Sequence, residues 1–276
     1  MKISEQVYQI RIDFQVAPQV QRYVYVYLLM GEKCCLIDAG VAGSEAVISA
    51  YMKKLGRDIS DIKALFLTHA HPDHIGAAAA IKEISGCEVY ASEKEIRWFE
   101  DIDTQYKERP IPNFYTLVGD SVKVDHCIRE GQNVKIQQGM TLKVMETPGH
   151  SDGSLSWLWD EQRILFCGDA IPALDDVPIF TDLVKSQESI KRIMNRADIR
   201  TLCPAWDRQY EEWEWKEICQ TQLELLVRLR QCEAQIRNRQ EKLSQEEMIH
   251  CIIKQMGWET EEANPLLWRS IQSCLI

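Results

Sequence analysis

Along the chain, short apolar runs that stop at turn residues alternate with stretches of helical spacing. Tyr23–Met30 is apolar throughout, Gly31-Glu32-Lys33 interrupts it and Cys34–Asp38 resumes it, which predicts a β-hairpin. Ser44–Leu55 carries apolar residues at 47, 48, 51, 52 and 55, one face of a helix. Ala64–Thr68 reads as a buried strand halting at His69, Ile75–Ile84 as an alanine-rich helix and Cys87–Tyr90 as another strand. Ser92 and Glu95 have capping-box spacing and predict a helix start. Residues 101–120, with Pro110, Pro112 and Gly119, are expected to form a loop or partial lid. Strands are expected again over 133–136, 141–146, 155–159, 163–167 and 201–203, with a helix over 186–194. Strands followed by helices in each half suggest two sheets covered on their outer faces.

From Glu211 the strand pattern is gone. Trp215, Ile218, Leu225, Leu226, Leu229, Cys232 and Ile236 recur at helical spacing, Ser244–Glu247 is a second capping box, and Asn264-Pro265 sets a cap before a first-turn proline. This divides the chain into a main domain, 1–210, and a helical extension, 211–276. The extension is expected to pack on the main domain and to reach the substrate pocket in part; a homodimer surface is the alternative use.

Composition narrows the function. Lys and Arg total 32 against 42 Asp and Glu, a net charge of −10, and that field opposes nucleic-acid binding. The first residues lack the basic start and apolar run of a signal peptide, and no apolar run nears the roughly 20 residues that cross a bilayer. A cytoplasmic protein without a membrane partner is expected. Ten cysteines occur with no C-x-x-C pair, and most lie within apolar runs, which suits buried thiols more than a disulfide framework.

Of six histidines, four fall in two tight motifs. Thr68-His69-Ala70-His71-Pro72-Asp73-His74 places His69, His71, Asp73 and His74 on one strand-to-helix turn. Nitrogen and carboxylate donors without thiolates suit zinc, and also iron or manganese. A lone histidine is commonly a satisfied polar group, but four donors packed at one strand end are hard to read that way. Thr147-Pro148-Gly149-His150, Cys167-Gly168-Asp169 and Leu36-Ile37-Asp38 repeat the arrangement of a strand that ends in a ligand-type residue.

The succession Leu-Ile-Asp-Ala-Gly, His-Ala-His-Pro-Asp-His, Thr-Pro-Gly-His and Cys-Gly-Asp closely resembles the metallo-β-lactamase superfamily from about Val7 to Asp207, above all its glyoxalase II-like and lactonase-like branches. The resemblance implies an α/β fold, a four-layer αβ/βα sandwich with the C-terminal helices appended, and two divalent metal ions, zinc first, at one edge. It implies a first metal on His69, His71 and His150, and a second on Asp73 and His74, with Asp169 bridging. Asp38 matches a position that orients a ligand imidazole. One departure stands out: where the family supplies a further histidine, this chain reads Pro204-Ala205-Trp206-Asp207. Asp207 is either an oxygen ligand for the second metal or a solvated turn residue.

The expected activity is metal-dependent hydrolysis of a small carbonyl compound, an ester, thioester or lactone, with Asp73 as the catalytic carboxylate that positions the nucleophile. The pocket is expected to use Phe114, Tyr115 and Trp206, with Trp98 beside them. The rival readings are a mononuclear iron persulfide dioxygenase-like enzyme and a non-catalytic metal-binding protein.

Overall fold

The computed structural model describes residues 1–17, 20–238, 243–261 and 264–275. Among these, two six-stranded sheets face each other. The first sheet is ordered β1 (Val7–Ala17), β2 (Val20–Leu29), β3 (Cys34–Ile37), β4 (Ile62–Phe66), β5 (Glu88–Ser92) and β6 (His126–Ile128). The long β1–β2 hairpin and β3 are antiparallel, whereas β3, β4, β5 and β6 run parallel. The second sheet is ordered β12 (Tyr210–Glu211), β11 (Thr201–Pro204), β10 (Ile164–Gly168), β9 (Leu155–Trp159), β8 (Met140–Glu146) and β7 (Asn133–Gln137). Only its β10–β11 pair is parallel.

Helices cover both outer faces. Beside the first sheet lie α1 (Ser44–Lys54), α2 (Pro72–Ile75), α3 (Ala78–Ser85), α4 (Ile96–Glu100), α5 (Ile102–Glu108) and α6 (Phe114–Leu117). Beside the second lie α7 (Leu183–Met194), α8 (Glu214–Arg237), α9 (Gln245–Met256) and α10 (Pro265–Cys274). Three apolar clusters correspond to the three spaces between these layers. Tyr27, Phe66, Trp157, Trp159 and Phe166 fill the space between the sheets. Ile48, Leu65, Ile81 and Phe99 lie under the first helical layer, and Leu158, Leu202, Ile190, Leu226, Ile252 and Leu267 under the second. A fully buried side chain of this size stabilises by about 1.5–3 kcal/mol, so α8–α10 are bonded into the core cluster of the second sheet. Ser244 with Glu247 closes a capping box on α9, and Asn264 caps α10 ahead of Pro265.

The segment expected to be a loop holds α5 and α6. Asp101 caps α5 by accepting from Thr104 N, and Arg109-Pro110 ends it, because a residue before proline avoids the helical region. Prolines here separate short helices. None of the ten cysteines, all among the described residues, is in a disulfide. No helix is long and apolar enough to cross a membrane, among the described residues.

Candidate metal centre

Five strands, β3, β4, β8, β10 and β11, end at the same edge of the sandwich, and each is followed by chemistry-bearing residues: Asp38, the 69–74 turn, His150, Asp169 and Trp206. The two sheets are stitched together at this edge, where Leu155 N donates to Thr68 O (2.8 Å) and Tyr25 N donates to Ala205 O (2.8 Å). Gly168 has φ +51°, and a Cβ there would meet Thr68 Oγ1 at 2.6 Å, so the close approach of β10 to the β4 turn requires glycine. Gly149, at φ +132°, is pressed on the start of α7 in the same way, with Ser186 N at 2.3 Å from a would-be Cβ.

The sequence shapes the first turn locally. His71 is extended (φ −69°, ψ 149°) because Pro72 follows it, and Pro72 at the first helical position needs no N–H partner. The chain therefore leaves β4 extended through His69 and His71, then coils once to turn Asp73 and His74 inward.

Three imidazoles converge from this turn and from the β8–β9 connection. His71 Nδ1 lies 3.0 Å from His69 Nε2 and 2.7 Å from His150 Nε2. The opposite nitrogens of two of these rings are engaged: His150 Nδ1 donates to Ile179 O at 2.8 Å, and His69 Nδ1 lies 3.1 Å from Thr68 Oγ1. Thr68 Oγ1 gives its own proton to Asp38 Oδ2 (2.8 Å), so it accepts from His69. Both rings are thereby set with a lone pair on Nε2. Both lone pairs face His71 Nδ1, in a ring whose Nε2 is buried without a hydrogen bond, and a cation at the meeting point satisfies all three rings.

A second group forms beside the first from His69, His74 and Asp169. His74 Nδ1 donates to Asp38 Oδ2 at 2.8 Å, leaving Nε2 buried without a hydrogen-bond partner. That nitrogen lies 3.3 Å from Asp169 Oδ1 and 3.6 Å from Asp73 Oδ2. Asp169 stands between the groups, because its Oδ2 lies 3.4 Å from His150 Nε2. Asp38 also accepts from Thr68 N (2.8 Å), and it holds a left-handed backbone at φ +60°. An orphaned buried nitrogen, a cluster of imidazole lone pairs and intervening carboxylates make a donor set that fits divalent metal ions.

The electrostatics agree. Burial pushes His69 and His71 well below the ordinary imidazole range and lowers His150, which keeps them neutral as ligands must be. His74 is opposite: burial opposes its charge, yet Asp169, Asp73 and Asp38 together raise it well above the ordinary value. Burial raises Asp73; Asp169 is lowered, its burial outweighed by His74 and His150. The site attracts positive charge, which a proton supplies when no metal does.

The remaining expected residues separate. Trp206 reaches the site, but as a donor: its indole Nε1 lies 3.0 and 3.1 Å from the two oxygens of Asp169. Asp207 does not join either cluster. At φ +70° its carboxylate turns to accept from Tyr210 OH, while its N–H donates to Tyr23 OH at 3.0 Å. Phe114 and Tyr115 do not line the cavity beside the centre: Phe114 is buried in the core of the first sheet, and Tyr115 is exposed with its hydroxyl on Asp103. Their rings meet edge-to-face at 5.2 Å and both pack on Tyr106, so the pair forms an aromatic cluster of α5 and α6 instead of a pocket wall. Trp98 does line that cavity, with Arg109, His150, Thr181 and residues of α10. His126 stacks on Tyr90 on β5, remote from the cluster, and His250 is exposed on α9 against Trp268.

Several supporting residues carried no recognisable signal. Glu95 has the capping-box position, but its buried carboxylate accepts instead from Ala70 N (2.8 Å) and Gly153 N (2.9 Å), joining the two ligand-bearing turns. Ala70 is held on its other side by Gln105 of α5, which donates to its carbonyl. Arg109 and Arg269 were invisible because only the fold brings them to one cavity from opposite ends of a long stretch of chain.

Fold and centre together define a two-sheet sandwich with histidine–carboxylate metal ligands at its strand ends. The family profile described as the metallo-beta-lactamase superfamily matches residues 19–206. The chain belongs to the metallo-beta-lactamase superfamily. Hydroxyacylglutathione hydrolase GloC of Haemophilus influenzae is 31% identical over 40% of this chain and 50% of its own length. A probable metallo-hydrolase of Methanocaldococcus jannaschii is 29% identical over 64% of this chain and 84% of its own. The chain thus spans only half of the first of these relatives, and most of the second. These relatives support an enzyme. A metallo-beta-lactamase family protein from Thermus thermophilus superposes with a TM-score of 0.77 at 18% identity, over 99% of this chain and 93% of that one, which shows the fold, C-terminal helices included.

Proposed function

We propose that this protein is a metal-dependent hydrolase of a small carbonyl compound, an ester, thioester or lactone. The observation that carries the reading is the convergence of His69, His71 and His150, with Asp169 shared between them and His74. His69, His71 and His150 would hold a first divalent ion, zinc by its donor set, and His74, Asp73 and Asp169 a second. Such ions, when bound, would supply a Lewis acid and lower the pKa of water to near neutrality.

The chain's own residues arrange what surrounds that chemistry. Asp73, half-buried with its Oδ2 3.6 Å from His74 Nε2, is placed to position the nucleophile beside the reacting centre. Trp206 fixes the orientation of Asp169 through both oxygens, and Asp38 fixes the tautomer of His74. Thr68 does the same for His69, and the Ile179 carbonyl for His150. Two relatives named hydroxyacylglutathione hydrolases support a carbonyl substrate over a phosphoester.

The test is hydrolysis of a panel of esters, thioesters and lactones by the metal-loaded protein, the chelator-treated protein and His71→Ala. Turnover is expected only in the first, with His71→Ala folded by circular dichroism. Equal turnover in all three would refute the reading. One observation favours a second reading: with Trp206 on Asp169 and Asp207 turned away, the donors also suit a single-metal centre of the iron persulfide dioxygenase kind. One iron per chain, with oxygen uptake on a thiol persulfide and no hydrolysis, would select it.

A further inference from the structure

Next to His150 a cavity of about 220 Å³ opens between α5 and α10, lined by Trp98, Glu108, Arg109, Thr181, Arg269 and Ser270 among others. In a chain of net charge −10, two guanidinium groups converge on one small cavity. Arg109 is half-buried, and its guanidinium makes no hydrogen bond or ion pair among the described residues. Arg269 is tethered by one nitrogen, Nη2, to Pro110 O at 2.6 Å, while its Nη1 is buried and without a partner. The two arginines lie within electrostatic reach of each other, and burial with that repulsion brings Arg109 down to about 10.

Nearby carboxylates attract Arg109, Asp73 first and Glu95 and Asp169 less, but none of them forms an ion pair or hydrogen bond with either guanidinium among the described residues. Glu108 is held by Arg97 and by Trp98 Nε1 (2.6 Å). Glu95 is spent on the Ala70 and Gly153 amides, and Asp73 and Asp169 face His74. Placing two like charges together in a desolvated cavity is unfavourable unless something anionic completes it. Guanidinium suits that task, because its planar donors match the oxygens of a carboxylate or phosphate.

We propose that Arg109 and Arg269 form an anion subsite beside the metal centre, and that the substrate is a small acyl compound bearing a carboxylate or phosphate on its acyl or leaving-group side. This rests on the hydrolase reading for the word substrate, but the subsite itself does not. The volume is below the roughly 300 Å³ at which drug-sized pockets begin, which suits a compact anion rather than a bulky one. The placement also gives α10 a function beyond packing. It supplies one of the two cations, so the C-terminal helices complete the pocket that the main domain begins.

Binding and turnover separate the two claims. Binding of succinate, inorganic phosphate and uncharged succinamide to the metal-loaded protein would be followed by calorimetry. Succinate or phosphate should bind at least tenfold more tightly than succinamide, and whichever is tighter identifies the anion. Arg109→Gln and Arg269→Gln should each remove most of that discrimination, Arg269→Lys should keep part of it, and Arg228→Gln, an exposed charge on α8, should leave it unchanged. In parallel, a succinyl and a butyryl ester of the same alcohol would be compared as substrates, with the succinyl ester favoured through KM. Equal binding of succinate, phosphate and succinamide, or discrimination that survives both glutamine variants, overturns the subsite. Anion discrimination lost in both variants with no hydrolysis of any ester, thioester or lactone keeps the subsite and sinks the hydrolase reading instead.

Discussion

The turn after β4 and the turn after β11 end at the same edge of the sandwich, and they contribute to it in opposite ways. The first packs His69, His71, Asp73 and His74 into six residues and directs all of them at the centre. The second carries Trp206 and Asp207, and the residue with the better ligand chemistry is the one that points away. Asp207 is claimed by Tyr210 and Tyr23, while Trp206, incapable of ligation, donates to Asp169. A donor in the right stretch of sequence is not a ligand until its competing partners are known. The first turn has Pro72 to fix its direction; the second is aimed by aromatic neighbours, with Trp206 packed at 5.8 Å from Tyr23 and 6.4 Å from Phe14.

That contrast can be attacked directly. The largest effect after loss of a ligand itself should come from Asp38→Asn, which removes the carboxylate that holds His74 and Thr68. Losing such a partner typically costs 10–100-fold in metal affinity, so competition with a chelator should show a second ion released at least tenfold more readily. Undiminished affinity would mean that the first turn organises itself without β3.

Trp206→His converts the second turn to the residue type the first one uses. We expect the second ion to bind about tenfold more tightly, a gain of about 1.4 kcal/mol, seen as metal content rising towards two per chain in plasma spectrometry. Asp207→Asn, made alongside, should leave metal content as it was. A drop on Asp207→Asn would show that this carboxylate leaves Tyr210 to bind metal.

The smallest effect concerns protons at the first turn. In metal-free protein His69, His71 and His150 are depressed by burial, whereas the unfolded chain titrates near 6.5. Below that pH the unfolded state binds more protons, so stability falls as pH is lowered. His74 is raised and works the other way: its contribution is complete below about 6.5 and is lost as pH rises through its higher folded value. Thermal melts of chelated protein should therefore peak near pH 6.5 and drop by a few degrees towards pH 5. A melting temperature that climbs steadily towards acid would contradict the buried neutral trio.

Much of this was readable from the chain. Local spacing marked the hairpin, the capped helices α9 and α10, and the metal-ligand motifs, because each is set within a few residues by alternation, proline and capping chemistry. Strand β1 was not anticipated, since its exposed outer half lacks a continuous apolar run. Glu95 had the spacing of a cap and became a strut between Ala70 and Gly153. Phe114 and Tyr115 were adjacent aromatics that the fold spends on a cluster with Tyr106, away from the cavity.

The order of residues by itself determined which side chains could bind metal and where strands would deliver them, because ligand type and turn chemistry are local properties. Which donors meet, that Asp38 pairs with His74, that Asp207 is diverted and that Arg109 faces Arg269 were decided only by the folded sandwich. Those pairings span large separations in the chain, and packing geometry, not spacing, selects among the partners that each polar group could take.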